Sequence, residues 1–229
     1  MSRSRVALLN AAHDSTDTTR NFRRELDTDL VEFHAVSGEL PESTDYDGVV
    51  VSGSRASVYY DEAWIEPLVD YVADVHDAGV PLLGVCFGHQ VIAAALGGDV
   101  ETMGEYEIGY REVEVTTDDP IFDGVGDSVT VFTTHSDTVT ELPPGAELLA
   151  ENDYGVHAFR VDDSVGVQFH PEYDPETAER VTTRKGELSD ERVAEVLAGI
   201  DDENYAAACE AKQLFDNFTR SVADSPAAD

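Results

Sequence analysis

Hydrophobic residues in the first half of the chain follow two alternating patterns. Short runs of β-branched and aliphatic residues predict strands, and segments with an apolar residue every three or four positions predict helices. The predicted strands are Arg5–Asn10, Leu30–Val36, Gly48–Ser52 and Leu82–Cys86, and the predicted helices are Thr18–Leu26, Glu62–Ala78 and Val91–Leu96. Strands that alternate with helices in this way predict an α/β fold, in which helices cover both faces of a parallel sheet.

The pattern changes at Gly109, after which short strands are separated by turn residues. These strands are predicted at Arg111–Thr116, Ser128–Thr133, Glu147–Ala150, His157–Val161 and Val165–Phe169. No segment between them has a helical pattern long enough to cross over the sheet. We therefore expect an antiparallel hairpin region added to the mostly parallel half.

Helical patterns return after Pro171. Asp174 is a predicted N-cap and Pro175 a predicted first helical residue, and further helices are predicted at Ser189–Leu197 and Glu203–Val222. These segments predict a C-terminal helical extension.

The sequence shows no internal repeat and no low-complexity linker, which indicates a single domain. We place this domain at residues 1–180 and the helical extension, packed on the same domain, at residues 181–229. The last six residues, 224–229, are predicted to form a frayed tail.

Acidic residues dominate the charge of the chain, with 48 Asp and Glu against 14 Lys and Arg and a formal net charge of −34. We expect no nucleic-acid partner, because binding phosphates requires a cationic surface. Lys185 and Lys212 are the only lysines. Abundant acid with scarce lysine favours adaptation to molar salt, in which charges are screened over about 3 Å, and the alternative is an ordinary acidic protein. We expect a halophilic protein whose charge reflects its solvent.

The compartment follows from the apolar runs and the cysteines. The longest apolar runs span a few residues, whereas a transmembrane helix needs about 20, so no membrane partner is expected. Met1–Arg5 leads directly into Val6–Leu9, which is too short for the hydrophobic region of a signal peptide. The two cysteines, Cys86 and Cys209, do not form a disulfide framework. We therefore expect a cytoplasmic protein.

The segment Gly84–Gln90 places glycines on both sides of Cys86, where a predicted strand ends and a helix begins just after Gly88. This arrangement is typical of a nucleophile elbow, a strained turn that lifts its nucleophile out of the sheet. Glycines suit such a turn because neighbouring chains pass close to it. The helix N-terminus favours a thiolate, and the amide of Phe87 would face an oxyanion. On this segment alone, a buried and unreactive cysteine is the alternative.

A thiolate nucleophile needs a base, and the base needs an orienting group. His170 follows an apolar strand, at the edge where functional side chains of open α/β sheets gather. Pro171 keeps the backbone extended, so Glu172, two residues after His170, projects to the same side. We predict that His170 is the base and Glu172 its orienting carboxylate. The alternative is a surface His-Pro turn with a solvated glutamate.

Together, Gly84–Gln90 and His170–Glu172, which begins 84 positions after Cys86, resemble the motifs of the class I (triad) glutamine amidotransferases. The resemblance runs from about Val6 to Tyr173. In that family, the cysteine attacks the side-chain carboxamide of L-glutamine, ammonia leaves, and water hydrolyses the γ-glutamyl thioester. The resemblance implies a flavodoxin-like fold, with Cys86 as nucleophile, His170 as general base and then acid, and Glu172 as orienting carboxylate.

The resemblance also implies an oxyanion hole and a substrate pocket. Gly53 or Ser54 would supply a second oxyanion amide beside that of Phe87, and Ser54 stands where many relatives have a second glycine. Gln90 matches a residue at the amino-acid end of the substrate. The residues that match the loop lining the glutamine pocket are Thr134, His135, Ser136 and Asp137. Without the resemblance, Gln90 is a first-turn helix residue and Ser136-Asp137 an ordinary turn.

No metal and no cofactor are predicted. The histidines without partners at metal-ligand spacing are His13, His34, His76 and His157, and His89 is expected to be structural. The segment Ser52–Ser57 lacks the Gly-Lys-Ser/Thr ending of a phosphate loop. We therefore expect no ATP site in this chain.

Within the family, the sequence resembles the glutaminase subunit of GMP synthase and stand-alone relatives, some of which resemble γ-glutamyl peptide hydrolases. The expected partners are L-glutamine or another γ-glutamyl substrate, and an ATP-dependent synthetase subunit that receives the ammonia. A stand-alone γ-glutamyl peptide hydrolase would use the same Cys86, His170 and Glu172. A catalytically silent, partner-binding subunit is a further alternative, supported by Ser54. A cysteine α/β-hydrolase fits poorly, since its acid usually precedes the histidine in the chain.

Overall fold

The computed structural model describes residues 3–225, which form a nine-stranded sheet in the order β2-β1-β3-β4-β9-β8-β7-β5-β6. The strands are β1 (Arg5–Asn10), β2 (Asp29–His34), β3 (Gly48–Val51), β4 (Leu82–Val85), β5 (Asp99–Val115), β6 (Ser128–Glu141), β7 (Glu147–Asn152), β8 (Gly155–Val161) and β9 (Ser164–Val167). The helices are α1 (Ser15–Glu25), α2 (Ile65–Asp77), α3 (Phe87–Ala95), α4 (Pro175–Thr183), α5 (Asp190–Ala198), α6 (Asp202–Ala208) and α7 (Gln213–Asp224). Within the described residues, no helix is long and apolar enough to cross a membrane.

Five of the nine strands, in the order β2-β1-β3-β4-β9, form the parallel half of the sheet. This is the strand order of flavodoxin-like sheets, with β9 in the place of the fifth strand. The hairpin strands β5 to β8 lie between α3 and β9 in sequence and pair antiparallel beside the parallel half. The predicted α/β fold with an added hairpin region is confirmed.

The two longest strands were predicted too short. Sequence patterns predicted Arg111–Thr116 and Ser128–Thr133, whereas β5 begins at Asp99 and β6 continues to Glu141. The first part of β5 is polar, has Gly104 and Gly109 at positive φ, and has a register shift between Thr102 and Glu107. Such a segment lacks the regular alternation of a strand, and its pairing with β6 supplies the order that its own sequence does not.

Helices cover both faces of the sheet, each above its own hydrophobic core. On one face, Phe22 of α1 and Phe215 of α7 meet edge to face with ring centroids 6.0 Å apart. On the other face, Leu68 of α2 and Ile92 of α3 pack against Val51 and neighbouring strand residues. Because apolar side chains of the parallel strands are covered from both sides, they form nearly continuous apolar runs rather than alternating patterns.

The predicted cap of α4 is confirmed, since the side chain of Asp174 accepts a hydrogen bond from the first turn, and the side chain of Ser189 caps α5 in the same way. The helix predicted at Glu203–Val222 is interrupted by a 3₁₀ turn, so α6 and α7 are separate. Side chains of α7 are buried in the same core as β1 and β3. Asp224 ends α7, residues 226–229 of the predicted tail lie outside the described residues, and the domain boundary near residue 180 stays a prediction.

Candidate active site

Three neighbouring parallel strands end at the same edge of the sheet and deliver the candidate catalytic residues there. Gly53 follows β3, Cys86 follows β4, and His170 follows β9, which pairs with β4. The amide of Cys86 donates to the carbonyl of Val167 at 2.8 Å, which ties the turn to the end of β9. Ligands of open α/β sheets bind at this carboxyl edge, so the fold brings together residues that lie far apart in the sequence.

Cys86 occupies a strained turn between β4 and α3. Its φ of 55° and ψ of −102° are unusual for a residue with a side chain. A Cβ at Gly84 would lie 2.4 Å from backbone atoms of Gly88, and a Cβ at Gly88 would lie 2.3 Å from the carbonyl oxygen of Val51. These distances show why both positions are glycine. The helix begins at Phe87 rather than after Gly88, so the predicted start of the helix was wrong by two residues.

His170 and Glu172 are both buried, and Nδ1 of His170 lies 2.8 Å from Oε1 of Glu172. Burial opposes the charged ring, but the charges of Glu172 and Cys86, with hydrogen bonds to both, outweigh it and raise the pKa of His170 to about 10. Tyr173 stacks on the imidazole with ring centroids 4.1 Å apart. The carbonyl of Glu172 accepts from Nη2 of Arg24 at 2.5 Å. The imidazole is thus held on one side by Glu172 and faces Cys86 through its other nitrogen.

The loop after β3 passes directly over the cysteine and histidine. A Cβ at Gly53 would lie 2.8 Å from Cε1 of His170 and 3.6 Å from Cβ of Cys86. Within residues 3–225, positive φ at a non-glycine residue occurs at Cys86 and Asp162, so Ser54 has an ordinary φ. Its hydroxyl accepts from the amide of Ala56 at 3.2 Å. A serine at this position therefore fits the loop without backbone strain, and the use of Gly53 or Ser54 amides in an oxyanion hole stays a prediction.

A pocket beside Cys86 contains the residues that the resemblance assigned to substrate. They are Gln90, Thr134, His135, Ser136 and Asp137, and Phe87, predicted for the oxyanion hole, lines the same pocket. Thr134–Asp137 was expected to be a loop, and this was wrong: the segment belongs to β6 and pairs with β5. A strand holds its side chains on alternating faces, so the segment is a rigid wall rather than a mobile loop.

Two of these side chains are already bonded to other protein groups. The amide nitrogen of Gln90 donates to the carbonyl of Asp137 at 3.2 Å and to Oε1 of Gln168 at 3.1 Å. The carboxylate of Asp137 accepts from the hydroxyls of Ser57 and Tyr59. These bonds fix the shape of the pocket.

Four polar residues of this region were not predicted as site residues from the sequence: Arg55, Ser57, Tyr59 and Lys185. Ser57 and Tyr59 hold Asp137, and Arg55 and Lys185 line the pocket. Lys185 lies over the ring of Tyr106, with Nζ 4.6 Å from the centroid. Because the chain has only two lysines, the sequence did single out Lys185 as a candidate for a specific role. The others lie in an irregular segment after β3 whose path follows from tertiary contacts.

The fold gives His157 partners that its sequence neighbours lacked. Glu107, His135 and His157 each offer a ligand atom within 4.8 Å of the others, and all three are buried. Oε2 of Glu107 lies 2.6 Å from Nε2 of His135, which is hydrogen-bond distance, whereas two ligands of one tetrahedral zinc ion lie about 3.3 Å apart. A hydrogen bond therefore accounts for the contact between Glu107 and His135 without a metal ion.

His89 is fully buried in the first turn of α3. A Cβ at Gly166 would lie 2.7 Å from its Nδ1, so the ring packs tightly on β9. Burial lowers the pKa of His89 to about 3 and keeps the ring neutral. This environment agrees with the structural role predicted for His89.

Comparison with known proteins identifies the same family that the motifs indicated. A model of the family Glutamine amidotransferase class-I matches residues 16–186. The chain is 37% identical over 148 residues to the glutamine-hydrolyzing GMP synthase of Aquifex aeolicus, covering 63% of this chain and 28% of that protein. It is 44% identical over 126 residues to the corresponding enzyme of Pyrobaculum aerophilum, covering 54% and 24%. The chain thus matches about a quarter of the length of these relatives.

A solved structure supports the fold over nearly the whole chain. The crystal structure of a glutamine amidotransferase from Thermotoga maritima superposes with a TM-score of 0.79 at 23% identity. The superposition covers 96% of this chain and 99% of that structure. The structural similarity therefore extends past residue 186, where the match to the family model ends.

Proposed function

The chain belongs to the class I glutamine amidotransferase family, and from this premise we propose that it hydrolyses the side-chain amide of L-glutamine through a γ-glutamyl thioester on Cys86. The observation that carries the proposal is the strained elbow at Cys86, which meets the buried His170–Glu172 pair at the carboxyl edge of the sheet. A cysteine with a structural role alone would not require a positive φ. Backbone strain of this kind is found mainly at functional sites.

The proposed reaction begins with attack of the Cys86 thiolate on the carboxamide carbon. The carbonyl oxygen becomes an oxyanion near the amides of Phe87 and either Gly53 or Ser54. When the C–N bond breaks, His170 donates its proton to the departing nitrogen, which leaves as ammonia. His170 then takes a proton from water, the resulting hydroxide attacks the thioester carbon, and glutamate leaves as the C–S bond breaks. Glu172 holds the ring and stabilises its positive charge.

The glutamine is proposed to bind in the pocket beside Cys86. Its walls are the side of α3 that carries Gln90 and the β6 segment Thr134–Asp137. Both are buried and cross-linked by the Gln90–Asp137 hydrogen bond. Such a preorganised site orients its substrate with little loss of conformational freedom.

The test is release of ammonia and glutamate from L-glutamine in about 2 M KCl, a salt level set by the screening argument. Cys86→Ala is expected to abolish turnover without loss of the fold. Cys209→Ala is the matched control, because it removes the other cysteine, which is half-buried in a 3₁₀ turn outside the pocket. Full activity in Cys86→Ala would contradict the mechanism. Absence of turnover with Cys86 still alkylated by a glutamine-like electrophile would favour a site that waits for a partner.

We further propose that the ammonia passes to an ATP-dependent synthetase partner in the cytoplasm, where thiols stay reduced. The similarity to glutamine-hydrolyzing GMP synthases supports this proposal. The partner would raise the glutaminase rate on mixing. A silent subunit, the alternative, would remain inactive toward glutamine after mixing.

A second candidate function, hydrolysis of γ-glutamyl amides with a larger leaving group, is favoured by a second cavity beyond His170. The leaving group lies on the side of the residue that protonates it, and this cavity adjoins His170, Tyr173, Arg55 and Lys185. Arginines nearby are paired, as Arg184 is with Asp14, whereas Arg55 and Lys185 form no ion pair within residues 3–225. Two unpaired cations in a strongly anionic chain suit a carboxylate on the leaving group.

γ-Glutamylglycine and γ-glutamylglycinamide distinguish the two functions. A peptide hydrolase would turn over the glycine compound faster than glutamine and lose that advantage with the amide, which lacks the carboxylate. A dedicated glutaminase would turn over glutamine faster than either.

A further inference from the structure

Glu107 is a fully buried carboxylate outside the proposed catalytic triad. It lies on β5, between His135 of β6 and His157 of β8. Oε2 lies 2.6 Å from Nε2 of His135 and 3.1 Å from Nε2 of His157. Oε1 accepts from the side-chain amide of Asn152 at 2.7 Å. Side chains of β6 and β7 thus donate to one carboxylate, and a buried charge needs such partners to be stable.

Hydrogen-bond geometry sets the charge of His135. Its Nδ1 lies 2.9 Å from the carbonyl oxygen of Asp137, which can only accept a hydrogen bond. Its Nε2 faces the carboxylate of Glu107, which also accepts when it is ionised. Both ring nitrogens must then carry a hydrogen, so His135 is an imidazolium paired with Glu107.

The charge of Glu107 itself supports this assignment. Burial raises the pKa of Glu107, but the hydrogen bond and charge of His135, with a contribution from the nearby His157, outweigh burial and lower it to about 2. Glu107 is therefore ionised and accepts at both oxygens. Burial lowers the pKa of His157, and its ring nitrogens have no hydrogen-bond partner within the described residues.

The cluster reaches the substrate pocket through the backbone of Asp137. The carbonyl oxygen of Asp137 accepts from His135 and, at 3.2 Å, from the amide of Gln90. It is therefore the point at which β6 is joined to α3, the two walls of the pocket. His135, Gln90 and Asp137 all border the cavity beside Cys86.

We propose that Glu107 is a positioning residue for the glutamine pocket: it keeps His135 doubly protonated, so that the ring holds the Asp137 carbonyl and with it the β6 wall. The inference rests on the proposed function only in naming glutamine as the occupant. Glu107 does not touch the reacting atoms, so its removal affects binding of substrate more than the chemical step.

The experiment compares Glu107→Gln with Glu112→Gln. Glu112 lies on the same strand with an exposed side chain, so its substitution makes the same change of charge outside the cluster. In Glu107→Gln, KM for glutamine is expected to rise about tenfold, as loss of one charge-assisted hydrogen bond predicts. The value of kcat is expected to change less than KM, and Glu112→Gln to match the wild type in both.

A spectroscopic arm tests the charge of His135 directly. In ¹⁵N spectra of the histidine rings at pH 8, the wild type is expected to show a doubly protonated ring that is missing from His135→Asn. The same signal is expected to persist in Glu112→Gln and to be replaced by a neutral ring in Glu107→Gln. A neutral His135 in the wild type would overturn the proposal, because the ring could then not donate to both acceptors.

A chemical arm keeps the inference testable if the glutaminase proposal fails. Alkylation of Cys86 by iodoacetamide does not need the pocket, whereas alkylation by 6-diazo-5-oxo-L-norleucine, a glutamine analogue, does. Glu107→Gln is expected to slow only the second reaction. If wild type and Glu107→Gln react at the same rate with the glutamine analogue, as well as with iodoacetamide, the inference is overturned. The wild type could instead fail to turn over glutamine while Glu107→Gln still reacts more slowly than the wild type with the analogue. That result would contradict the proposed function and not the inference.

Discussion

At the scale of single residues, the site depends on two groups held against their intrinsic preferences. Cys86 has a positive φ in a sparsely populated backbone region, which costs about 1–3 kcal/mol. His170 is buried and yet has a raised pKa, which burial alone would lower. Each departure is sustained by its surroundings: the elbow glycines hold the cysteine, and Glu172 compensates the imidazolium. The charge on His170 is therefore a property of the His170–Glu172–Cys86 arrangement.

This arrangement predicts how stability depends on pH when Glu172 is changed to Gln. Because the pKa of His170 is raised in the folded protein to about 10, its ion pair stabilises the fold fully below the unfolded value near 6.5 and is lost as pH rises through about 10. Glu172→Gln is therefore expected to lower the free energy of unfolding by a few kcal/mol at pH 6, on the order expected for a broken buried pair, and by much less at pH 10.5.

The measurement is urea unfolding of wild type and variant at both pH values in molar KCl. Glu179→Gln, an exposed glutamate on α4, is the matched control and is expected to unfold like the wild type. The same loss of stability at pH 6 and pH 10.5 would contradict the assigned charge.

In turnover assays, Glu172→Ala is expected to slow the reaction less than His170→Ala, since Glu172 orients the ring and His170 transfers the proton.

At the scale of elements, the elbow is a contact between β4, α3 and β3 that leaves no room for a side chain. A Cβ at Gly88 would lie 2.3 Å from the backbone oxygen of Val51, an atom that cannot rotate away. Gly88→Ala is therefore expected to separate α3 from β3, to lower the free energy of unfolding by about 1–3 kcal/mol and to slow alkylation of Cys86.

Gly186→Ala is the matched control for Gly88→Ala. Within the described residues, a Cβ at Gly186 would have nothing within 4 Å, and its φ is not positive. Urea unfolding and iodoacetamide labelling of both variants decide the matter. A Gly88→Ala protein as stable and as reactive as Gly186→Ala would show that the close approach of α3 to β3 is not required.

The element scale also shows where sequence patterns fail. Arg5–Asn10 and the capped start of α4 were predicted correctly, because strand periodicity and N-caps are encoded by neighbouring residues. The first part of β5 was missed, because glycines and charges interrupt its alternation and its register follows from β6. The Thr134–Asp137 segment was predicted to be a loop for the same reason, because it pairs with the part of β5 that was not predicted as a strand.

At the scale of the whole molecule, charge is the dominant feature. With 48 acidic residues and 14 lysines and arginines, at least 34 acidic groups (48 − 14) have no lysine or arginine of their own to pair with. Many of the ion pairs that form are surface pairs such as Arg192–Glu195, worth about 0–1 kcal/mol each. Self-repulsion in dilute buffer therefore opposes the compact state, which supports our proposal of adaptation to molar salt.

This proposal predicts that the thermal midpoint rises steeply between low salt and molar KCl, where screening shortens the range of repulsion to about 3 Å. The measurement is a series of thermal unfolding curves at increasing KCl. Glucose at equal osmolality is the control, since it changes the solvent without screening charge. A flat dependence on KCl, or an equal rise in glucose, would contradict the proposal.

The sequence by itself determined the fold class, the elbow around Cys86 and the His170–Glu172 pair, because each depends on residues close together in the chain. Periodicity encodes strands and helices, glycines encode a tight turn, and proline between two polar residues encodes their common direction. Only the tertiary structure decided that Glu107, His135 and His157 meet, that Thr134–Asp137 is a strand, and that Arg55 and Lys185 border the site. These contacts join segments separated by tens of residues, and their register and charge states depend on the packing of strands that no local pattern specifies.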